Sequence, residues 1–420
     1  MSKVSPQRAK SAQNALLAMF FFQGTMSTTQ IPRVPELIKQ ISVDFNQWGL
    51  IMGFAAVGSI LGLATSTKII ARFGAQRIAQ IAILAAGLML ASFAFISNPA
   101  IFFLANVVWA LAMSVYTIAV NSESVILQNA IKKVIIGRFH GIWAIGAMLS
   151  AAVAGILTTT VSIQVHFIAV AAIGTAAVII SSLFVLNKDE SHQAERTKAP
   201  ARISIWRTPR KVWLLAFCLF VSASPELALI DWSAIYNRDA LAITDKGLAS
   251  VPYTAFMVFM IVGRLSIGRL TKRWHISQIA AVGGLIAFTG LTLNVVLSPA
   301  ISNLGMTAAV VLGSALWGLA GLGSSILVPS FFSASGHITG LDTATVMSRM
   351  MFAQTFMVIA AKILIGAVAQ NADIRIAFVI PCALVLICAY VAHLFARDAR
   401  KNDIVADAFP ITIPIAVIGE

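Results

Sequence analysis

The sequence predicts an all-α integral membrane protein with twelve transmembrane helices in two six-helix pseudo-repeats. Of its 420 residues, 59% are hydrophobic and only 11% are charged, whereas soluble domains are about half apolar and a quarter charged. Apolar runs long enough for membrane helices of about 20 residues recur along the chain. They lack the polar alternation of barrel strands, so helices are favoured over a β-barrel.

Charged or turn-forming clusters separate the apolar runs and set approximate limits for each span. In the first half, spans are predicted at 12–32, 47–68, 77–96, 99–121, 140–160 and 164–186. In the second half, they are predicted at 212–235, 247–268, 276–297, 304–331, 345–368 and 374–396. No small-residue cleavage site follows the basic start of the chain, so the first span is expected to be retained.

A long polar interruption divides the chain in the middle. The predicted parts are an N-terminal bundle, a linker, a C-terminal bundle and a tail, at 1–186, 187–211, 212–396 and 397–420. The linker is expected to be solvated, or else to lie on the inner leaflet around Ile203 to Trp206. The tail contains Pro410 and Pro414 in an apolar stretch too short to span a membrane.

Basic residues predict the orientation of these spans. Most of the 30 Lys and Arg residues fall on the side that holds both termini, the linker and alternate connections. The few predicted on the other side are Arg33, Lys39, Arg238, Lys246 and Arg375. The positive-inside rule then places both termini in the cytoplasm, with the chain in the cell inner membrane. Since topology accounts for the net charge of +14, no nucleic-acid partner is expected.

The sequence offers little for enzyme chemistry. Cys218, Cys382 and Cys388 lie in apolar runs and are predicted to be small buried residues rather than disulfide partners. The six histidines are scattered, without zinc-site spacing, a phosphate loop or a nucleophile motif. We therefore expect no enzyme activity, no cofactor and no metal, and we expect a monomer.

A weak internal repeat follows the second and eighth spans, as ARFGAQR at 71–77 and GRLSIGRLTKRW at 263–274. With this repeat on either side of a linker, the chain resembles the major facilitator superfamily over nearly its whole length. The residues that match the gating-loop signature of that family are Arg72, Gly74, Arg77, Arg264 and Arg269. Ala71 and Gly268 stand where the family carries acids, so these arginines are expected to bind carbonyls at helix C-termini.

Three further segments resemble a bacterial branch near the fucose permeases: AVNSES at 119–124, RFHGIWAIG at 138–146 and PELALIDWSAIY at 225–236. The resemblance implies a secondary transporter of a small polar, sugar-like solute. It also implies alternating access of the two bundles around a site near the membrane midplane. Two departures are Thr117, where relatives often carry an acid, and the absence of proline from the fifth span, which therefore lacks the Gly-Pro motif typical of the drug/proton antiporters in this superfamily.

Glu226 is the most unusual residue of the seventh span. It lies about 22 Å along the helix from Lys211, a little past the midplane, and the adjacent Pro225 lacks a backbone donor. A charge in hydrocarbon costs at least about 3 kcal/mol, so it requires a cavity or a partner. Glu226 is therefore either a substrate or proton site or the ion-pair partner of Lys362, which lies at similar depth in the eleventh span.

Asp231 follows Glu226 after about 140° of helix rotation, so the two acids do not share a face. With Trp232 beside it, Asp231 is either part of the binding site or an anchor at the membrane interface. In the first span, Gln23, Thr29 and Gln30 form a polar stripe. This stripe either lines a cavity, with Thr29 at the repeat position equivalent to Glu226, or forms interhelical hydrogen bonds.

Asn121 and Glu123 are predicted at the end of the fourth span. His140 and Trp143 share a face of the fifth span, where they form either a proton-sensitive pair or a histidine that satisfies a nearby carbonyl. Small residues predict close helix packing, and these are Gly58, Gly62, Gly318, Gly321 and Gly323.

Together these features predict a secondary active transporter for a small polar organic solute, with a proton as coupling ion through Glu226 or Asp231. Efflux of amphiphilic compounds is the alternative, and a regulatory membrane protein that does not transport is the third possibility. A single-chain channel is less favoured, because the repeat and the intramembrane carboxylates are typical of carriers.

Overall fold

The structure is a computed structural model and describes residues 5–131, 135–186, 208–335 and 343–401. Most of the predicted linker, the end of the tail, and Lys132 and Lys133 lie outside these ranges. The described residues form two compact units. The N-terminal unit falls within Met1–Val43 and Phe54–Lys198, and the C-terminal unit within Asp44–Gly53 and Ala199–Ile418.

Two long helices of the N-terminal unit, those at Pro6–Thr28 and Ile163–Ser182, begin with a side-chain cap. Ser5 begins the first helix by accepting a hydrogen bond from the Arg8 amide at 3.2 Å, and Ser162 begins α8 by accepting one from the Val165 amide at 3.3 Å. The helices of this unit are α1 (Pro6–Thr28), α2 (Val34–Gln40), α4 (Ala56–Phe73), α5 (Ala75–Phe93), α6 (Pro99–Ile131), α7 (Ile136–Thr160) and α8 (Ile163–Ser182).

The C-terminal unit includes a short helix from early in the chain, α3 (Phe45–Phe54), up to Gly53. Its other helices are α9 (Arg210–Asp239), α10 (Val251–Leu270), α11 (Ile276–Asn303), α12 (Met306–Ser324), α13 (Leu327–Ser335), α14 (Thr343–Asn371), α15 (Ile374–Ala377) and α16 (Val379–Lys401). Within this unit, α9 packs mainly against α14, α16 and α13, and it makes a smaller contact with α10.

Among the described residues, eleven segments are long and apolar enough to cross a membrane. The first helix, α1, is not one of them, because polar residues such as Gln23, Thr25 and Thr28 lower its hydropathy. Its 23 residues nevertheless match the length of a span. The predicted all-α membrane fold is confirmed, and each predicted span corresponds to helix.

One predicted limit is wrong. The fourth span was expected to end near residue 121, but α6 continues to Ile131. Asn121 and Glu123 consequently lie within this helix, and Glu123 is 6% exposed. The apolar run simply gives way to an amphipathic end without a helix-breaking residue.

Glycines allow the helices to approach closely, as predicted. Gly58 on α4 lies against the Val107 carbonyl of α6, and Gly321 on α12 against the Phe256 carbonyl of α10. A β-carbon at either position would overlap that carbonyl oxygen. The three cysteines are buried free thiols, which confirms their predicted role in packing.

Candidate functional site

The seventh span, α9, carries both intramembrane acids of the C-terminal unit. Pro225 lies inside this helix and has no N–H for the Val221 carbonyl one turn before it. The Ser224 hydroxyl donates to that carbonyl instead, at 2.8 Å. The helix therefore continues through the proline and presents Glu226 and Asp231 to different neighbouring helices.

Asp231 forms an ion pair with Lys362 of α14. Lys362 Nζ lies 2.8 Å from Asp231 Oδ2, and the side chains are 18% and 4% exposed, respectively. The approach is too oblique for a well-aligned hydrogen bond, since this oxygen accepts none by geometry among the described residues. The alternative in which Lys362 pairs with Glu226 is wrong, because Asp231 faces α14 and Glu226 faces α10.

A small cavity adjoins this ion pair. Its volume is about 20 Å³, and it is bordered by Asp231, Trp232 and Lys362 together with apolar residues of α9, α14 and α16. A volume of this size holds about one water molecule and is too small for a sugar. Trp232 is 1% exposed and packs edge-on against Phe45 of α3, with ring centroids 6.1 Å apart.

Glu226 has a looser partner in Arg264 of α10. Arg264 Nη2 lies 3.7 Å from Glu226 Oε2, and the side chains are 35% and 22% exposed. Among the described residues, the buried Arg264 Nε has no hydrogen-bond acceptor. Arg264 was expected to bind carbonyls at a helix end, but it lies within α10 and reaches toward the acid. The buried Tyr253 of α10 lies within electrostatic range of both Glu226 and Asp231.

The polar stripe of α1 forms hydrogen bonds to other helices of the N-terminal unit. Gln23 Nε2 donates to Thr117 Oγ1 of α6 at 2.7 Å. Thr29 Oγ1 lies 2.9 Å from His166 Nε2 of α8 and is completely buried. Thr29 therefore does not line a cavity, and it makes the interhelical contact that was its alternative role. Gln30 is half-buried.

A polar network around Arg33 extends from this contact. Arg33 is 1% exposed, although its sequence position suggested only a loop charge outside the membrane. Its Nε donates to His166 Nδ1 at 3.3 Å, its Nη1 to Glu36 at 2.8 Å, and its Nη2 to the carbonyls of Leu157 and Val161 at 2.9 and 2.6 Å. Because Nδ1 accepts a hydrogen bond, we assign the proton of neutral His166 to Nε2, which donates to Thr29.

The residues from the fucose-permease resemblance lie on α6 and α7. Asn121 donates to the Thr117 carbonyl of its own helix at 2.8 Å. The His140 ring packs edge-on against Phe20 of α1, at 5.4 Å between centroids. The half-buried Trp143 has its carbonyl against Gly24 of α1. His140 and Trp143 therefore take part in helix packing, whereas the hydrogen bond of Asn121 stays within α6.

Three of the gating-loop arginines, Arg72, Arg77 and Arg269, are exposed. The Arg72 guanidinium lies over the Phe73 ring, 5.1 Å from its centroid. Gly74 connects α4 to α5 with a φ of 86°, a conformation that glycine adopts without strain. Sequence reasoning identified this turn and its arginines, and it missed Arg33, His166 and Tyr253.

Comparison with known proteins gives consistent matches. The sequence model of the Major Facilitator Superfamily matches residues 16–341. An uncharacterized MFS-type transporter of Yersinia pestis is 23% identical over 388 residues, which cover 92% of this chain and 96% of that protein. Membrane protein MosC of Rhizobium meliloti is 22% identical over 384 residues, with coverage of 90% and 89%.

Solved structures of similar fold include two transporters. The nucleoside transporter NupG has a TM-score of 0.70 and 14% identity, over 92% of this chain and 98% of that one. A bacterial homolog to the human lysosomal transporter Spinster, inward-facing and unoccupied, has a TM-score of 0.71 and 14% identity, over 95% and 99%. At such identities the likeness shows the fold alone.

Proposed function

Since this chain belongs to the Major Facilitator Superfamily and is a membrane transporter, we propose that it moves a small polar organic solute by alternating access, coupled to protons. It does so as a monomer in the cell inner membrane, with both termini in the cytoplasm. This orientation follows from the distribution of Lys and Arg residues.

Glu226 is the proposed coupling residue. A carboxylate that exchanges protons during transport must be reachable by water and must not be fixed by a tight partner. Glu226 fits this description, because it is 22% exposed and its ion-pair partner, Arg264, is 3.7 Å away. Asp231 does not, because it is 4% exposed and lies 2.8 Å from Lys362.

Protonation of Glu226 would remove its attraction for Arg264 and would leave that arginine able to bind another anion. Arg264 and Tyr253 on α10 lie near Glu226. The opposite charges of Asp231 and Lys362 cancel each other. One proton therefore changes the net charge of this part of the C-terminal unit, and such a change provides a basis for coupling.

The solute is proposed to be sugar-like on the resemblance to the fucose permeases. NupG, whose fold is similar, is a nucleoside transporter. A nucleoside contains a sugar, which supports this proposal. Alternating access requires Glu226 to meet water from each side in turn.

Uptake into proteoliposomes, with and without an inward proton gradient, tests the function. The panel contains sugars, organic acids, amino acids and amphiphilic drugs, so that efflux substrates are represented. We expect gradient-driven accumulation of a polar solute by the wild type, and loss of the gradient effect but not of solute exchange in Glu226→Gln. Asp239→Asn, near the exposed end of the same helix, is the control. Transport that ignores both the gradient and Glu226→Gln would refute proton coupling.

A further inference from the structure

Two ion pairs on α9 differ in a way that points to a ligand. The Asp231–Lys362 pair is close at 2.8 Å and buried, as expected for charges removed from water. The Glu226–Arg264 pair is wider at 3.7 Å, and both its side chains are more exposed. At this separation no normal hydrogen bond joins the two groups. The second pair therefore leaves hydrogen-bonding capacity unused.

Most of that capacity belongs to the arginine. A guanidinium presents five N–H donors in a planar fork, and the buried Nε of Arg264 finds no acceptor in the part of the chain that the structure describes. A buried donor without an acceptor is costly. The partner that suits a fork with a free Nε is a carboxylate, whose two oxygens accept two parallel hydrogen bonds.

The backbone that carries Arg264 is held firmly. Gly263, the preceding residue, lies so close to Ser325 that a β-carbon would overlap its side chain, and it would also lie only 3.1 Å from the Leu322 carbonyl oxygen. The Arg264 side chain is 35% exposed, while its Nε is buried and has no acceptor among the described residues. Arg264 thus combines a fixed backbone with a partly exposed head group that has a donor to spare, as suits a binding residue.

We infer that Arg264 binds a carboxylate of the transported solute, so that the substrate is an organic acid and not a neutral sugar. The inference rests on the proposed transport function and narrows its substrate class. When Glu226 takes up a proton, the solute carboxylate replaces it beside Arg264. One proton and one anion then occupy the pair together without a change in net charge.

Matched pairs of solutes test this inference on the purified full chain. Each pair is a neutral compound and an acid of similar carbon skeleton: glucose and glucuronate, glycerol and glycerate, butanediol and succinate. Binding is measured by calorimetry and by the shift in unfolding temperature, because a ligand specific for the folded state raises it. We expect at least one acid to bind at least about tenfold more tightly than its neutral partner.

Variants of Arg264 assign the site. Arg264→Gln should weaken binding of that acid at least about tenfold, and Arg264→Lys should also weaken it, because lysine keeps the charge but loses the fork. Arg273→Gln, which removes an exposed arginine just beyond the end of the same helix, is the matched control and should leave the affinity within about twofold. Glu226→Gln removes the competing carboxylate and should not weaken binding of the acid. If Arg264→Gln fails to fold, Arg264→Lys and Glu226→Gln still provide the test.

Two results would overturn the inference. One is equal or tighter binding of the neutral members, and the other is wild-type affinity for the acid in the Arg264 variants. Uptake of a neutral solute without uptake of its acid would leave the transport function intact and remove only this assignment. Failure of every compound both to bind and to be transported would count against the function as well.

Discussion

Lys362 Nζ on α14 lies 2.8 Å from Asp231 Oδ2 on α9, beside a cavity of about 20 Å³. The lysine therefore joins two long helices of the C-terminal unit through the acid nearer the C-terminal end of α9. Glu226, five residues earlier, is left to a different helix and a different partner. We therefore propose separate roles for the two acids, with Asp231 acting in stability and Glu226 in transport.

Neutralising one member of the Asp231–Lys362 pair should destabilise the protein. Asp231→Asn or Lys362→Met leaves an uncompensated buried charge, at a cost of about 3–5 kcal/mol. The double variant should recover most of this loss, which a double-mutant cycle in chemical unfolding measures. Strictly additive losses would show that the pair does not act as a unit.

Gly58→Ala should destabilise the N-terminal unit. The new methyl group would overlap the Val107 carbonyl and lie 3.0 Å from the Leu111 amide nitrogen, so α4 and α6 must separate, at about 1–3 kcal/mol. Gly141→Ala is the control, because its β-carbon meets nothing within 4 Å and alanine favours the helix by about 0.5–1 kcal/mol. Equal unfolding temperatures for the two variants would contradict the packing argument.

Arg33→Ala should be among the more damaging single substitutions in the N-terminal unit. It removes the donors to His166, Glu36 and two carbonyls at the end of α7, and we expect a loss of at least about 3 kcal/mol in the free energy of unfolding. Arg238→Ala is the comparison, because it removes an arginine that is 42% exposed and should cost no more than about 1 kcal/mol. A similar small loss for Arg33→Ala would refute a structural role for the network.

Asp373 should make a small contribution to stability that depends on pH. Hydrogen bonds from the Arg375 side chain hold the pKa of this carboxyl below its ordinary value of 3.8. A lowered pKa stabilises the folded state above the ordinary value, and the contribution disappears as the pH falls through the lowered pKa. The group is one-third exposed, so we expect at most about 1 kcal/mol.

The measurement compares the wild type with Asp373→Asn, which keeps an acceptor at the start of α15 but loses the charge. Unfolding at neutral pH should separate the two proteins, and the difference should shrink as the pH falls below 3.8. A difference independent of pH would mean that the charge has no part in it.

The sequence could predict the helices and the close glycine contacts because each depends on local composition. Membrane helices need long apolar runs, and a glycine pair such as Gly58 and Gly62 indicates tight packing without knowledge of the partner helix. It could also select Glu226, Asp231 and Lys362, since a charge in an apolar run is costly wherever the helix lies.

The pairing of those charges could not be predicted in the same way. Depth along a helix placed Lys362 and Glu226 at the same level, but the partner depends on which face of α9 meets α14 and which meets α10. Arg33 was missed for a related reason. Its position in a connection suggested exposure, and only the fold of α1 and α2 brings it onto the end of α7. A signal was present in Pro32 and Pro35, which make that connection compact and helical.

The hydroxyl that replaces a backbone donor beside Pro225 has a mechanical consequence. In an uninterrupted helix, a bend breaks hydrogen bonds between backbone N–H and C=O groups, which cannot reorient independently of the helix. Here the Val221 carbonyl is held by the Ser224 side chain, which is released by rotation about a single bond. Bending at this point of α9 would therefore break a side-chain hydrogen bond in place of a backbone one, immediately before the carboxylate of Glu226.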